Sequence, residues 1–478
     1  AGAPSVSVLT EEDHFGGSLA DLLAVKRAHP ELAVLRKDFL FDATDVELSY
    51  RAGADAVLLI ASILEEAAIA EIVEAAADLG LAVLAEAHDA ADLAKLRPHR
   101  PALVGINSRD LTTFRVDPLV PLALAPEVDW PARLVFESGV YGAEQVRTAL
   151  DGGFSGVLVG EAVVRKPERI PELIGALEGY HRAEQRTPLP TASGATFWGY
   201  LAGRIAARSA GFTGGAGSAG GGGTGTPSSG APVYPAPPLV KICGITREED
   251  GRLAAELGAD MLGFIIADSP RELPEAELRR LLEALSELPI AKVGVVVARR
   301  ATSRAADTAP RDAAGPATRV GNALAGATPE TEIDEERLLR ARSLLADGLL
   351  SALQFHGEER PEECASFGLP YYKALRPTDP TELEEAALYR SPRILLDGFS
   401  AARYGGTGTA VGEEIVDRWR KQKPLWLAGG LKPQNVATMI GRYEPELIDV
   451  ASGVEASPGV KSEAKLRTLF EEIRNASS

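Results

Sequence analysis

The chain is 478 residues long, with 45% hydrophobic and 25% charged residues and a formal net charge of −18. That length exceeds one ordinary domain, and the acidic balance excludes a phosphate-neutralising nucleic-acid surface, so an anionic ligand must be met by local cations and backbone N–H groups. Two cysteines, Cys243 and Cys364, make neither a disulfide framework nor a zinc pattern, no apolar run has membrane-spanning length, and no signal peptide is visible. A cytoplasmic protein is expected. The chain begins Ala-Gly-Ala and enters an apolar strand almost at once, which reads as a truncated start.

In chain order, seven short apolar runs come first: SVSVL, AVLRK, AVLLI, AVLAE, LVGIN, LVFES and GVLVG. Runs apolar on both faces, separated by amphipathic helices, suit a parallel sheet covered by helices. The stretch Thr196 to Phe212 is apolar but too short to span a membrane and carries Arg204 and Arg208, so it reads as a linker helix. Gly214 to Pro238 is low-complexity Gly, Ser and Pro and reads as a flexible linker. Eight more runs follow: LVKIC, MLGFII, KVGVVV, ALQFH, YYKAL, RILLD, LWLAG and LIDVA. The fold class expected is α/β, two tandem (β/α)8 TIM barrels, the first lacking its first strand. The expected division is a first barrel at 1–186, a linker at 187–238 and a second barrel at 239–478, interrupted by an aperiodic insertion at about 298–331.

Barrel active sites form where strands end and βα loops begin. In the second part those positions hold Cys243-Gly244, Ser269-Pro270-Arg271, Gln354 to Gly357, Asp397, Gly405 to Gly408, Gly429-Gly430 and Asp449, then Ser452 to Glu455. A lone cysteine is usually a small core hydrophobe and a lone aspartate usually a cap. A thiol and two carboxylates on one rim, however, make an acid–base set, and the glycines after the last two strands allow backbone N–H groups to approach a phosphate.

The strings KICGITR, Ser269-Pro270-Arg271, QFHG, LLDG…GGTG, LAGGL and DVASGVE resemble phosphoribosylanthranilate isomerase of tryptophan biosynthesis, over Leu239 to about Asn475. The resemblance implies an Amadori rearrangement with no cofactor and no metal. Asp397 would be the general acid toward the ring oxygen and Cys243 the base that removes the C2′ proton. Arg271 would grip the anthranilate carboxylate, Asp449 the substrate amine, and Gly406, Gly430, Ser452 and Gly453 the phosphate side. His356 is expected to be structural.

In the first part the same strand-end survey gives Lys37, Glu86, Asn107-Ser108-Arg109, Glu137-Ser138-Gly139 and Gly160-Glu161. A lysine and two glutamates converging on one mouth must be paired or functional. SVLTEEDHFGGS, LRKDFL, GADAVLLI, GINSRDL, FESGV and LVGEAVVR resemble indole-3-glycerol-phosphate synthase, from Ser5 to about Glu178. That resemblance implies decarboxylating ring closure of the isomerase product. Lys37 would be the general acid and Glu86 would move the proton of dehydration. Asn107, Glu137 and Ser138 would position ribulose hydroxyls, and Arg109 the anthranilate carboxylate. Gly139, Gly160 and Glu161 would lie in the phosphate loops.

The synthase family's first strand carries a glutamate and a lysine before a Ser-Pro-Ser loop. No such strand precedes SVSVL, and residues 178–238 contain none. The synthase reaction is therefore expected not to run in this chain as given. The alternative reading is a monofunctional isomerase with a non-catalytic scaffold or interaction barrel. The partners expected are small anionic sugar phosphates, with no nucleic acid and no membrane, and the Gly-rich linker, which suggests independent barrels, is compatible with a monomer.

Overall fold

The structure, a computed structural model, describes residues 3, 5–183, 196–213, 236–297, 299–300, 331–332, 335–377, 379–397, 411–421 and 423–476. Most of the Gly-rich linker, most of the 298–331 insertion and Gly406 lie outside the described residues. The insertion's flanks, Arg299–Arg300 and Thr331–Glu332, pair as an antiparallel ribbon. The chain divides into two compact units.

The first unit is a parallel seven-stranded sheet in sequence order: β1 (Ser5–Leu9), β2 (Ala33–Lys37), β3 (Ala56–Ile60), β4 (Ala82–Ala87), β5 (Leu103–Asn107), β6 (Arg133–Glu137) and β7 (Gly156–Leu158). Every neighbouring pair is parallel, as helix-covered crossovers require. The sheet is open: among the described residues no ladder joins β7 back to β1. The apolar segment after residue 195 is a helix, Phe197–Thr213. It packs on the helix Leu119–Leu124 and buries Phe197, Trp198, Leu201 and Ala202, so it is a covering element of the first unit. No described helix is long and apolar enough to cross a membrane.

The second unit is a closed barrel of eight parallel strands: β8 (Leu239–Cys243), β9 (Met261–Ile266), β10 (Ala291–Val296), β11 (Ala352–Phe355), β12 (Tyr371–Leu375), β13 (Ile394–Leu396), β14 (Trp426–Ala428) and β15 (Leu447–Val450), with β15 pairing back to β8. Side chains alternate between the two faces of a strand. One parity, including Val240, Ile242, Leu262, Phe264, Leu353, Phe355, Leu427 and Ile448, is buried in the layer beneath the helices. The other parity, Lys241, Cys243, Gln354, Tyr372, Trp426 and Asp449, turns into the barrel. The bond from Lys241 on β8 to Gln354 on β11 spans two intervening strands and so crosses the barrel interior.

The strand-start end is clamped by charge. Arg393, almost fully buried, places Nε 2.6 Å and Nη2 2.9 Å from the two carboxylate oxygens of Glu446, and Trp426 Nε1 donates to the same carboxylate at 2.7 Å. Removing one partner of such a pair strands the other charge in a poorly solvated place. Glu446→Ala is expected to lower unfolding stability by about 3 kcal/mol. Urea denaturation measures this, and a loss below about 1 kcal/mol would show that the clamp is dispensable.

Candidate active sites at the strand ends

In the closed barrel the predicted residues from β8, β13 and β15 gather around one buried cation. Lys241, with no exposed surface, donates to Asp449 Oδ2 at 2.6 Å and to Gln354 Oε1 at 2.7 Å. Burial alone would lower its pKa, but the Asp449 carboxylate together with the Cys243 and Tyr372 groups overcomes burial and raises it. Asp449 Oδ1 is buried with no hydrogen-bond partner, an acceptor aimed into the mouth. Cys243 follows Lys241 on the same strand face and is buried; burial pushes its thiol pKa up, with the Lys241 ammonium pulling partly against it. Gly263 makes this possible, because a Cβ there would lie 2.7 Å from Cys243 Sγ.

Asp397, immediately after β13, accepts from His356 Nε2 at 2.7 Å and from Arg376 Nε at 3.1 Å. Burial would raise its carboxyl, but the His356 bond and the Arg376 charge overcome it and hold the group at about 2. Arg271 is tied to Glu455 by two bonds, Nε to Oε1 at 2.8 Å and Nη2 to Oε2 at 2.7 Å. The buried Lys461 braces that carboxylate at 3.0 Å while also donating to Cys243 O at 2.6 Å. The loops after β14 and β15 meet: Ser452 and Gly453 lie in a single 3-10 turn against Leu431, next to Gly430, whose carbonyl accepts from Asn435 Nδ2 at 3.0 Å.

In the open sheet, Lys37 Nζ stands 3.8 Å from Glu86 Oε2 at the ends of β2 and β4. Asn107 Nδ2 donates to Glu86 Oε1 at 3.2 Å, and Asn107 Oδ1 accepts from Arg109 N at 3.0 Å. Glu137 is fully buried, and its carboxyl is raised first by burial and then by the neighbouring Glu86 charge. Glu86 is held low: against burial, His88 and Lys37 favour its ionised form. The two carboxyls thus divide one proton, with Glu137 the neutral member. Gly105 accommodates the pair, since a Cβ there would sit 1.8 Å from Glu137 Oε1. Ser138 and Gly139 both take left-handed backbone, an uncommon cost for the serine at a site-forming turn. Gly160 precedes the short helix Glu161–Arg165, and Glu161 lies 3.7 Å from Arg109 and 3.1 Å from Arg165.

Residues 1–173 match the family model "Indole-3-glycerol phosphate synthase", and residues 336–472 match "N-(5'phosphoribosyl)anthranilate (PRA) isomerase". Over 99% of its length the chain is 27% identical to a tryptophan biosynthesis protein TRP1 of Phytophthora nicotianae, of which it covers 86%. With 49% of its length it is 36% identical to the N-(5'-phosphoribosyl)anthranilate isomerase of Gloeothece citriformis, covering 93% of it. The chain belongs to the phosphoribosylanthranilate isomerase family. The chain is 41% identical to the indole-3-glycerol phosphate synthase of Carboxydothermus hydrogenoformans, over 35% of the chain and 64% of that relative.

Several site residues of the isomerase unit escaped sequence reading. Lys241 stands two residues before Cys243, so strand parity alone would have put it inside the barrel. Arg376 and Lys461 lie beyond strand ends, where parity gives no guidance, while Gln354 and Glu455 were named at strand ends but given no role. In the first unit His88, between Glu86 and Asp92, was likewise missed.

Because Asp397 is depressed in the folded isomerase unit, its ionised form contributes stability that is complete above the unfolded carboxyl pKa of about 3.9. That contribution is lost as pH falls toward about 2. Asp397→Asn is expected to make the urea midpoint less pH-sensitive between those limits; an unchanged acid slope would refute the depressed carboxyl.

Proposed function

We propose that the chain serves tryptophan biosynthesis with two successive activities, isomerisation by residues 239–478 and ring closure by residues 1–186. The observation that carries the first is the polar line that joins Asp449 through Lys241, Gln354 and His356 to Asp397, with Cys243 beside Lys241 on one strand face. The isomerase unit acts on N-(5-phosphoribosyl)anthranilate and yields 1-(2-carboxyphenylamino)-1-deoxyribulose 5-phosphate. Asp397, with the His356 bond behind it, delivers a proton to the furanose ring oxygen as the ring opens; His356 and Arg376 leave it only a small protonated fraction, but one that is a strong acid, and the carboxylate takes a proton back from water before the next turnover. Cys243, as thiolate, removes the C2′ proton. The buried Lys241 favours that ionisation, and burial keeps the thiolate unsolvated and basic. The unpartnered Asp449 Oδ1 receives the substrate amine N–H. Arg271 offers the edge not used by Glu455 to the anthranilate carboxylate. Backbone N–H groups about Gly430, Ser452 and Gly453 take the phosphate, and Gly406, expected to share that role, lies outside the described residues.

For the synthase unit, Lys37 is the acid that protonates the ketone oxygen as the aromatic carbon attacks, and CO2 and water leave in the following steps. Glu86 handles the dehydration proton, Asn107, Glu137 and Ser138 orient hydroxyls, Arg109 meets the carboxylate, and Gly139, Gly160 and the backbone of Glu161 meet phosphate. The retained Lys37–Glu86–Asn107–Glu137 set favours this reading over a scaffold, because a non-catalytic mouth has no physical need for two buried carboxyls. The chain spans 64% of the synthase relative, and the seven described strands leave the sheet open, so we infer that ring closure needs an additional strand. A cytoplasmic monomer fits both activities.

Cys243→Ala and Asp397→Asn are each expected to lower isomerase kcat about a hundred-fold or more with circular dichroism unchanged; near-normal turnover in either would remove that residue from its role. The 478-residue chain is expected to isomerise but not to close the indole ring, and a fluorescence assay for indoleglycerol phosphate decides this. Ring closure at an ordinary rate would show that seven strands suffice.

A further inference from the structure

Between Asp397 and Asp449 runs an unbroken line of polar contacts through the isomerase barrel. Asp449 Oδ2 accepts from Lys241 Nζ at 2.6 Å, and Lys241 Nζ also donates to Gln354 Oε1 at 2.7 Å. Gln354 Nε2 stands 3.1 Å from His356 Nδ1, and His356 Nε2 stands 2.7 Å from Asp397 Oδ2. The Tyr372 hydroxyl adds a second donor to Gln354 Oε1 at 3.0 Å. Lys241, Gln354 and Tyr372 are all buried, so water does not scramble these roles.

The direction of every bond follows from one end. An ammonium has only donors, so the Gln354 atom facing Lys241 must be the amide oxygen. The opposite atom is then the NH2 group, which can only donate, so His356 Nδ1 must accept and carries no proton. In a singly protonated imidazole the proton therefore sits on Nε2, which donates to Asp397. Arg376 Nη2 also directs an N–H at Nε2 from 3.0 Å, besides its bond from Nε to Asp397 Oδ2 at 3.1 Å, but with Nδ1 bare the single ring proton has no other place, and Nε2 donates it to the nearer Asp397 Oδ2 at 2.7 Å. The charged and titratable groups facing His356 and its partners are thus Asp397 after β13, Arg376 and Tyr372 on β12 and its exit, Lys241 and Cys243 on β8, and Asp449 on β15.

We propose that Lys241, acting through Gln354, fixes His356 in the Nε2–H tautomer, and that His356 is the positioning residue that orients the Asp397 carboxyl for proton delivery. This rests on the assignment of Asp397 as the acid. It gives the buried lysine a second role: besides neutralising Asp449, it sets the polarity of a hydrogen-bonded line that ends on the opposite side of the mouth. His356 was expected to be structural from sequence; the geometry gives that structural part a chemical consequence.

The test is long-range proton–nitrogen NMR of the imidazole rings in the full chain, paired with isomerase kinetics. The sequence has six histidines, and the His356 signals are assigned by their disappearance in His356→Gln. In the unaltered protein the ring is expected to show a protonated Nε2 and a bare Nδ1. Gln354→Glu is isosteric but replaces the NH2 donor by an acceptor, so Nδ1 is expected to gain a proton and kcat to fall about ten-fold or more, with KM little changed. His356→Gln, whose amide can still donate toward Asp397, is expected to retain more turnover than His356→Ala. A bare Nε2 in the unaltered protein, or a ring unchanged by Gln354→Glu, would overturn the tautomer assignment. A ring that changes with kcat intact would overturn the positioning role. If Asp397→Asn retained turnover, the acid assignment would fall, while the nitrogen spectrum would still decide the tautomer.

Discussion

The isomerase site is organised by the burial of a single ammonium. Lys241 has no exposed surface, so its charge must be met inside the barrel or it would destabilise the fold. Asp449 meets the charge and Gln354 takes a second donor. Everything at the mouth is arranged around that requirement: Asp449 is left with one free oxygen, the Cys243 thiol lies under the influence of a fixed cation, and the amide of Gln354 has no choice of orientation. A barrel interior is normally filled with branched apolar side chains. Here a polar line replaces part of that filling and is tolerated because its members satisfy one another.

The two units solve the problem of paired carboxyls differently. In the isomerase barrel Asp397 and Asp449 each have their own partner, the His356 imidazole for one and the Lys241 ammonium for the other. In the open sheet Glu86 and Glu137 are close neighbours with Lys37 and His88 on the Glu86 side, and burial forces Glu137 toward its neutral form. The first arrangement leaves two separately compensated carboxylates on opposite sides of one mouth. The second suits a mouth in which a neutral carboxyl donates a hydrogen bond to a hydroxyl while its neighbour moves protons.

Most of the strand framework was legible because helix-covered parallel strands are apolar on both faces, and the runs from SVSVL to LIDVA fall within a residue or two of the observed strands. Residues at strand ends were legible for the same reason: once the runs are placed, Lys37, Glu86, Cys243 and Asp397 stand out as chemically expensive positions. Lys241 was obscured because it lies inside a run that reads as hydrophobic, where a polar residue looks like an interruption rather than a partner. The packing of Phe197–Thr213 on the first unit was hidden for another reason. Its apolar face was visible, but periodicity does not say which surface an apolar face covers. The Arg271–Glu455–Lys461 group joins the exit of β9 to a hairpin nearly two hundred residues away in sequence, so no local pattern could have announced it.

The absence of a side chain at Gly105 has a consequence for the mouth of the open sheet. The residue occupies a central strand whose backbone would accept any β-forming side chain, and nothing in the sheet's hydrogen bonding asks for glycine there. Its one service is to leave Glu137 its place. Position 105 therefore couples shape to chemistry: an alanine or valine there would suit the strand but displace the Glu137 carboxylate, so the mouth could lose its neutral acid without the sheet losing a hydrogen bond.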